Sequence, residues 1–447
     1  MRIKSHKMIT KKIVFFLLLI GFQLSAQSKK WTLEECVDYA IKNNISIKQS
    51  ELDLKTTDID KLEAIGGFLP TLNGNANYSM NTGASINPVT NQFQNETFKS
   101  MSASANSGIM LFNGLANWKT LQRAKLSKIA NSYRLDKMKD DIALSIANSY
   151  LQILFNKEQL KVQKNQNLIT KENIKRTQEL IQAGSLPAGD IYELQATDAS
   201  QEQQIVNTEN ALLIAKIGLC QTLLLEDYAN FDISDEVMDL PMTDMTNETQ
   251  ESILEKAKES VKDVKIAMAN VDVAKKDVAL SRSSYLPTLT GFLGYNTRWA
   301  ESIPFNFIDQ LTLFDGTAVG LQLNVPILNG FATRGRVQRA KINQERSEFQ
   351  LKQAELDLER NVYQAYNDVI NAKKSFEAAQ KTLEARKQSF NFSKERYEVG
   401  LMNSFDFSQS TIAFENAQSE VLRTKYDYIF RTKILEFYFG IPLIKKQ

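Results

Sequence analysis

The chain has 447 residues, of which 43% are hydrophobic, with 54 basic and 52 acidic residues and one histidine. This balance excludes the strongly basic surface typical of proteins that bind nucleic acid. One histidine and two cysteines cannot build a structural zinc cluster or a repertoire of histidine-based catalytic sites. The sequence therefore predicts no catalytic residues, no metal site and no cofactor.

Residues 1–26 have the order of a secretory signal peptide. Five basic residues precede an apolar run from Ile13 to Ile20, and Leu24-Ser25-Ala26 stands before Gln27. The prediction is export, with a mature chain that starts near Gln27, has a net charge of −3 and lacks His6. Outside this segment no apolar run approaches the ~20 residues of a membrane helix, so insertion into a membrane would require a β-barrel.

The remaining sequence repeats itself at an offset of about 216 residues, which predicts two copies of one structural unit. Repeat 1 is assigned to 27–228 and repeat 2 to 248–447, with 229–247 as a connector at an equatorial level. The matching landmarks are Phe68-Leu69-Pro70-Thr71-Leu72 with Tyr285-Leu286-Pro287-Thr288-Leu289, Leu111-Phe112-Asn113-Gly114 with Ile327-Leu328-Asn329-Gly330, and Ala183-Gly184 with Val399-Gly400.

The predicted elements follow the same order in both repeats. Long segments without proline, with small and apolar residues spaced by threes and fours, indicate coiled-coil helices. Shorter segments of strict alternation, about 10 residues each, have the length of tilted membrane-crossing strands. Repeat 1 is predicted to contain helix 32–66, strands at about 69–81 and 99–112, and helices 115–182 and 188–226. Repeat 2 is predicted to contain helix 248–284, strands at about 287–296 and 317–327, and helices 331–398 and 404–438, with 82–98 and 297–317 as loops.

The predicted fold class is mainly α with a contribution to a transmembrane β-barrel, built from a duplicated helix-strand-strand-helix unit. On one parity the strands carry Asn, Ser, Thr and Gln rather than charge, which suits a water-filled lumen. Four strands cannot close a barrel with a lumen, and an open edge in lipid is costly. Several copies are therefore expected to share one barrel.

Cys36 and Cys220 are expected at the same level of the molecule. An oxidising compartment permits a disulfide between them. Two buried thiols are the commoner outcome for isolated cysteines, and both alternatives remain open.

Over its mature length the chain resembles the TolC-type outer-membrane efflux protein family. The resemblance is carried by the duplicated Leu-Pro-Thr-Leu strand entries, the Phe-Asn-Gly and Leu-Asn-Gly exits, and the segments Gln182-Ala183-Gly184 through Asp190-Ile191 and Arg396-Tyr397-Glu398-Val399-Gly400 through Asp406-Phe407. It implies a homotrimer with a 12-stranded barrel in the outer membrane, continued by a long periplasmic α-helical barrel. The implied partners are a periplasmic adaptor and an inner-membrane pump of the RND or ABC type. The implied function is a passive exit duct, gated at its periplasmic end, for a tripartite efflux pump or a type I secretion system.

The resemblance also implies site residues. Asp406 matches a position whose carboxylates ring the periplasmic constriction, although the second acidic position is Gln409 here. Asp190 and Tyr397 match one pair between hairpins, whereas Gly189 and Met402 replace the polar partners of the other pair, which implies a less firmly latched gate. The turns expected to face the adaptor contain Gly184, Ser185, Gly400 and Leu401.

Local chemistry offers a simpler role for some of these residues. Gly184 and Gly400 are predicted to end long helices in the left-handed conformation. Asp406 is predicted to be an N-cap or a first-turn carboxylate of helix 404–438.

Two other functions fit the sequence less well. An exported coiled-coil scaffold without a pore leaves the four alternating segments unexplained. A periplasmic hydrolase lacks a convergent constellation of catalytic groups. The sequence does not name the cargo.

Overall fold

The structure is a computed structural model that describes residues 30–86, 91–235 and 248–441. The predicted signal peptide, and residues 236–247 of the predicted connector, lie outside this range. Helices dominate the described residues: α1 (Leu33–Asn43), α2 (Ile45–Gly66), α3 (Ala116–Gln182), α4 (Asp190–Leu223), α5 (Gln250–Ser260), α6 (Lys262–Ser283), α7 (Phe307–Leu313), α8 (Ala332–Glu398) and α9 (Ser404–Tyr438). The strands are β1 (Lys30–Trp31), β2 (Thr71–Ile86), β3 (Phe93–Asn113), β4 (Asp232–Ile233), β5 (Thr288–Ala300) and β6 (Gly316–Asn324).

These elements form two compact units. Unit 1 comprises the described residues of 1–48, 138–260 and 359–447, and unit 2 comprises those of 49–137 and 261–358.

The core of unit 1 gathers residues from α1, α3, α4, β4 and α9. Cys36 and Cys220 both belong to this core, and both are free thiols with no solvent exposure. Burial raises the pKa of Cys220 to about 11, so its thiol stays protonated and unreactive at neutral pH. The core of unit 1 is one apolar cluster, and its aliphatic members include Ile146, Ile153, Leu154, Leu219, Leu223, Ile233 and Ile429.

The small-residue spacing of α8 corresponds to a buried stripe in unit 1. Its members are Val362, Ala365, Val369, Ala372, Phe376 and Ala379. Small side chains at threes and fours allow neighbouring helices to approach closely.

Unit 2 contains a four-stranded antiparallel sheet in the order β2-β3-β5-β6. The ladder places polar residues opposite polar residues, as in Asn75 with Ser104 and Ser104 with Asn296, on one face. The other face pairs Leu293 with Val319 and Leu289 with Leu323. The alternation of the sequence is thus a division of the sheet into an amide-rich and hydroxyl-rich face and an apolar face.

Two expected loops are partly strand. The segment predicted as loop 82–98 is shortened because β2 continues to Ile86 and β3 begins at Phe93. Thr82 lies opposite Thr97, and their hydroxyls are 3.0 Å apart. Such cross-strand Thr pairs stabilise a ladder even where the sequence is polar.

The expected loop 297–317 contains the end of β5, helix α7 and the start of β6. The buried side chain of Gln310 organises α7, because its Nε2 donates to the carbonyl oxygens of Ile303 and Phe305 at 3.1 and 2.7 Å. Strand β6 ends at Asn324 rather than near 327, close to Pro326, which has no N–H for the ladder.

The helices predicted over 32–66 and 248–284 are each interrupted. Asn44 leaves the helical conformation with ψ 134°, and Val261 does so with ψ 131°. The two positions correspond across the repeat. Asn44 Oδ1 accepts a hydrogen bond from Ser46 N and its Nδ2 donates to the Thr222 carbonyl, so the side chain replaces the backbone partners lost at the break.

The turns that join strand to long helix also repeat. Gly114 and Leu115 have φ of 66° and 64°, and Gly330 and Phe331 have φ of 56° and 63°. Two successive left-handed residues reverse the chain within a short turn, and a glycine occupies the first position both times.

Candidate functional site

The turns between the long helices, at 183–189 and 399–403, close with the same hydrogen bonds. Gly184 and Gly400 have φ of 74° and 73°. Ser185 N donates to the Leu180 carbonyl and Leu401 N to the Arg396 carbonyl, at 2.9 and 2.8 Å. Together with the bonds from Gly184 N and Gly400 N, this is the Schellman arrangement, which satisfies the last carbonyls of a helix. The four turn residues expected from the sequence therefore occupy equivalent positions in the two repeats.

Helix α9, which follows the segment 399–403, begins at Ser404, three residues before the start that an N-cap at Asp406 would require. The N-cap is Asn403, whose Oδ1 accepts from Asp406 N at 2.8 Å. Asn403 Nδ2 in turn donates to the Asp406 carboxylate at 3.0 Å. Of the two predicted roles, N-cap is therefore wrong and first-turn carboxylate is correct. Asp406 and Gln409 are both exposed.

The equivalent start in repeat 1 is built differently. Gly189 is the N-cap of α4 and offers no side-chain hydrogen bond. Asp190 is the first helical residue and is half-buried. A carboxylate in the first turn interacts favourably with the helix dipole, so both Asp190 and Asp406 stabilise the start of their helices.

Tyr397 lies at the centre of a small apolar cluster beside these turns. Its ring stacks on Phe407, with centroids 4.6 Å apart and planes 4° apart. Its hydroxyl is hydrogen-bonded to Thr177 Oγ1 at 2.8 Å. Burial raises the pKa of Tyr397, and the nearby charge of Asp190 adds to this rise. The structure thus places Asp190 near Tyr397, while the hydrogen bond of the phenol goes to Thr177 on α3.

A row of polar pairs continues from Tyr397 between the helices of unit 1, and we call it the polar seam. Sequence reasoning did not find it, although polar residues at coiled-coil core spacing were its signal. Its members are Thr177–Tyr397, Thr197–Ser408, Asn167–Asp198, Gln201–Glu415, Gln166–Gln418 and Gln159–Ser419.

Glu415 is a carboxylate of this row that lies largely buried between the helices. Burial raises its pKa to about 7, while a hydrogen bond from Gln201 Nε2 at 2.6 Å acts in the opposite direction. At neutral pH this group is therefore partly protonated. Paired polar groups hold helices in register, but they contribute less free energy than an apolar core of equal area.

No helix in the described ranges is both long enough and apolar enough to span a membrane.

The described fold is that of bacterial outer-membrane channels. It is similar to the VceC outer membrane protein of Vibrio cholerae, with a TM-score of 0.74 and 13% identity over 91% of this chain and 96% of that one. The CmeC outer membrane channel of Campylobacter jejuni has a TM-score of 0.75 and 18% identity over 91% and 85%.

Sequence comparison assigns the family. Residues 36–223 and 253–439 match the family described as outer membrane efflux protein. The outer membrane protein TolC of Vibrio cholerae is 22% identical over 334 residues, which is 74% of each chain. The chain therefore belongs to the outer membrane efflux protein family, and its place is the outer membrane with an extension into the periplasm.

Proposed function

We propose that this chain is the exit duct of a tripartite efflux pump or a type I secretion system, acting as a passive homotrimeric channel. The observation that carries the proposal is the division of the four-stranded sheet into an apolar face and a face rich in amide and hydroxyl groups. An apolar face suits lipid and a polar one suits a water-filled lumen. Support for the type I secretion arm comes from the proteases secretion protein PrtF of Dickeya chrysanthemi, which is 21% identical over 315 residues, covering 70% of this chain and 67% of that protein.

Three copies would contribute twelve strands to one closed barrel, since four strands leave two open edges. The duct would perform no covalent chemistry. Transport energy would come from an inner-membrane pump of the RND or ABC type, joined to the duct by a periplasmic adaptor. The turns with Gly184, Ser185, Gly400 and Leu401 would face that adaptor.

The gate would lie beside these turns. Tyr397, bonded to Thr177 of repeat 1, and the nearby Asp190 would latch the hairpins of the two repeats, and Asp406 and Gln409 would line the constriction. The polar seam favours such a role because its pairs can exchange protein partners for water at small net cost. Met402 packs against the apolar cluster instead of forming a polar contact, which fits the weaker latch expected from the sequence.

Reconstitution in planar lipid bilayers tests the proposal. Purified protein should produce discrete ion conductance steps, and light scattering corrected for detergent should give the mass of three chains. A stable particle that never conducts ions would identify a scaffold without a pore instead. A monomer would contradict the shared barrel.

A further inference from the structure

The interface between the two repeats within unit 2 contains an ion pair whose repeat equivalents have no ion-pair partner among the described residues. Arg123 on α3 contacts Asp277 on α6, with Nε and Oδ1 2.5 Å apart. Helix α3 belongs to repeat 1 and helix α6 to repeat 2, so this pair joins one repeat to the next.

The repeat relationship assigns an equivalent to each partner. The offset is 217 residues before the sheet, as between Pro70 and Pro287, and 216 after it, as between Gly114 and Gly330. Asp277 therefore corresponds to Asp60 on α2, and Arg123 corresponds to Arg339 on α8. Both repeats therefore carry an aspartate at the first of these positions and an arginine at the second.

The geometry of unit 2 supports this assignment independently of the alignment. A cavity of about 380 Å³ lies between α2 and α3, and one of about 370 Å³ lies between α6 and α8. Asp60 and Arg123 line the first, and Asp277 and Arg339 line the second. The helix pair of each repeat thus holds its aspartate and arginine in the same relative places.

Asp60 and Arg339 are exposed, and the part of the chain that the structure describes contains no ion-pair partner for either. In one chain Arg339 belongs to the last repeat and Asp60 to the first. The outer face of repeat 2 therefore presents an arginine, whereas the outer face of repeat 1 presents an aspartate.

The turns at Gly114 and Gly330 show the same difference, because one copy is in contact with the other repeat and its equivalent is exposed. A Cβ on Gly114 would lie 2.7 Å from the Ser283 carbonyl and 2.8 Å from Leu286 Cβ, so that turn is tightly covered by the next repeat. Gly330, its equivalent, has nothing within 4 Å of such a Cβ. The equivalent of Leu286 is Leu69, which is 60% exposed. The turn at Gly330 is therefore equivalent to the turn at Gly114 but lacks the contact that Ser283 and Leu286 make there.

From these observations we infer that α8 of one chain packs on α2 of a second copy as α3 packs on α6 within the chain, with Arg339 paired to Asp60 of that copy and Leu69 of that copy covering Gly330. The inference rests on the proposed homo-oligomer and specifies its subunit contact. A heterologous contact of this kind closes into a ring when the rotations between successive copies add up to one full turn, as they do for three copies in a threefold trimer. In a trimer, Arg123–Asp277 and Arg339–Asp60 pairs would then alternate around one level.

Cross-linking tests this contact better than stability does, because exposed ion pairs contribute only about 0–1 kcal/mol. The variant Asp60→Cys/Arg339→Cys is treated in the detergent-solubilised oligomer with a short bifunctional methanethiosulfonate. The matched control is Arg123→Cys/Asp277→Cys, which carries the equivalent pair within one chain. The wild type is the blank, since Cys36 and Cys220 are buried.

The Asp60/Arg339 variant should give reducible dimers and trimers on a denaturing gel, with most chains leaving the monomer band. The control variant should remain monomeric with an internal link. A trimer by light scattering that gives no intermolecular product would overturn the inferred contact and leave the proposed function intact. An internal link in the Asp60/Arg339 variant would also overturn it, and a monomeric particle would overturn both.

Discussion

At the scale of single residues, Glu415 and Asp406 are two carboxylates on one helix in opposite surroundings. Glu415 lies between helices in the polar seam, where burial raises its pKa to about 7. Asp406 is exposed and bound by the cap residue Asn403. Their environments predict different responses to the same change from carboxylate to amide.

The raised pKa of Glu415 makes the stability of the folded protein fall as pH rises. The folded state favours the protonated form, so the contribution of this group is fully present below about 4.5 and is lost as pH increases toward about 7. A shift of this size corresponds to about 3 kcal/mol per chain. Glu415→Gln should therefore raise the Tm relative to wild type at pH 8 and have little effect at pH 4.5, as measured by circular dichroism.

Glu420→Gln is the matched control on the same helix. Glu420 pairs with Arg423, whose hydrogen bond lowers the pKa of the glutamate. Its contribution is present above the unfolded pKa and is lost as pH falls, so this variant should lower the Tm at pH 8. Identical pH dependence in wild type and Glu415→Gln would contradict the burial of this carboxylate in the folded state.

Asp406→Asn should lower the cation selectivity of the channel and weaken the start of the helix only by the lost charge–dipole interaction, about 0.3–1 kcal/mol. The N-cap bond from Asn403 Oδ1 to the backbone N of residue 406 is retained in this variant, whereas the negative charge is lost. Reversal potentials in a salt gradient across a planar bilayer measure the effect. Asn403→Ala is the control, since it removes the cap at a cost of about 1 kcal/mol and leaves the charge unchanged. Unaltered selectivity in Asp406→Asn would restrict Asp406 to its helix-start role.

At the scale of elements, the ends of helices differ in how they reach the left-handed conformation. The turns after α3 and α8 use glycine, which has no Cβ to strain. After helix α4 the left-handed residue is the C-cap Leu224, with φ 59°. Leu224 N and Leu225 N donate to the Gln221 and Cys220 carbonyls, which is again the Schellman arrangement.

This difference predicts a stabilising substitution. A non-glycine residue in the left-handed region costs about 1 kcal/mol, so Leu224→Gly should raise the free energy of unfolding by up to that amount. Leu224 is about half exposed, so little apolar burial is lost. Thermal denaturation measures the change, with Gly184→Ala as the reverse control, expected to lose a similar amount. A lower Tm for Leu224→Gly would show that the leucine side chain stabilises the turn by packing.

A bulky residue at Gly400 should abolish efflux while leaving trimer yield intact. A Cβ at this position would lie in open space, and Gly400→Leu strains the turn through its φ of 73°. The added side chain would project toward the proposed adaptor surface. An efflux assay in cells, with trimer yield from the same membranes, measures both quantities. Gly218→Ala, within α4, is the control and should leave both unaffected, because a Cβ there also lies in open space and the backbone is helical. Loss of trimer in Gly400→Leu would make the position one of folding only.

At the scale of the whole molecule, the internal repeat explains why two exposed surfaces resemble the interface between the repeats. When repeat 1 packs on repeat 2 within a chain, each repeat keeps one exposed surface that has no such contact. Asp60 and Leu69 lie on one such surface, and Arg339 and Gly330 on the other. These surfaces have the chemistry of the interface already formed between the repeats.

The exported particle should therefore consist of three chains that each begin near Gln27. Intact-mass spectrometry of protein extracted by detergent from outer-membrane fractions determines the first residue, and native mass spectrometry determines the number of chains. Release without detergent, or a chain that retains residues 1–26, would contradict the predicted processing and location.

The sequence determined the features that depend on local periodicity. The long helices follow from segments without proline, and the two faces of the sheet follow from strict alternation, since a period of 3.6 or 2 fixes which side chains share a face. The glycine turns could likewise be predicted, because few residues other than glycine adopt a positive φ without strain. The repeat itself was evident from the matching landmarks.

Only the tertiary structure decided which groups meet across helices. The breaks at Asn44 and Val261 carry no glycine or proline, and the break at Asn44 is stabilised by its bond to the distant Thr222 carbonyl. The N-cap of α9 is Asn403 rather than the predicted Asp406. Both residue types cap helices well, and only the path of the backbone decides which of them does so. The raised pKa of Glu415 and all pairs of the polar seam except Asn167–Asp198 depend on burial between chain segments more than 200 residues apart, a quantity that no local pattern contains.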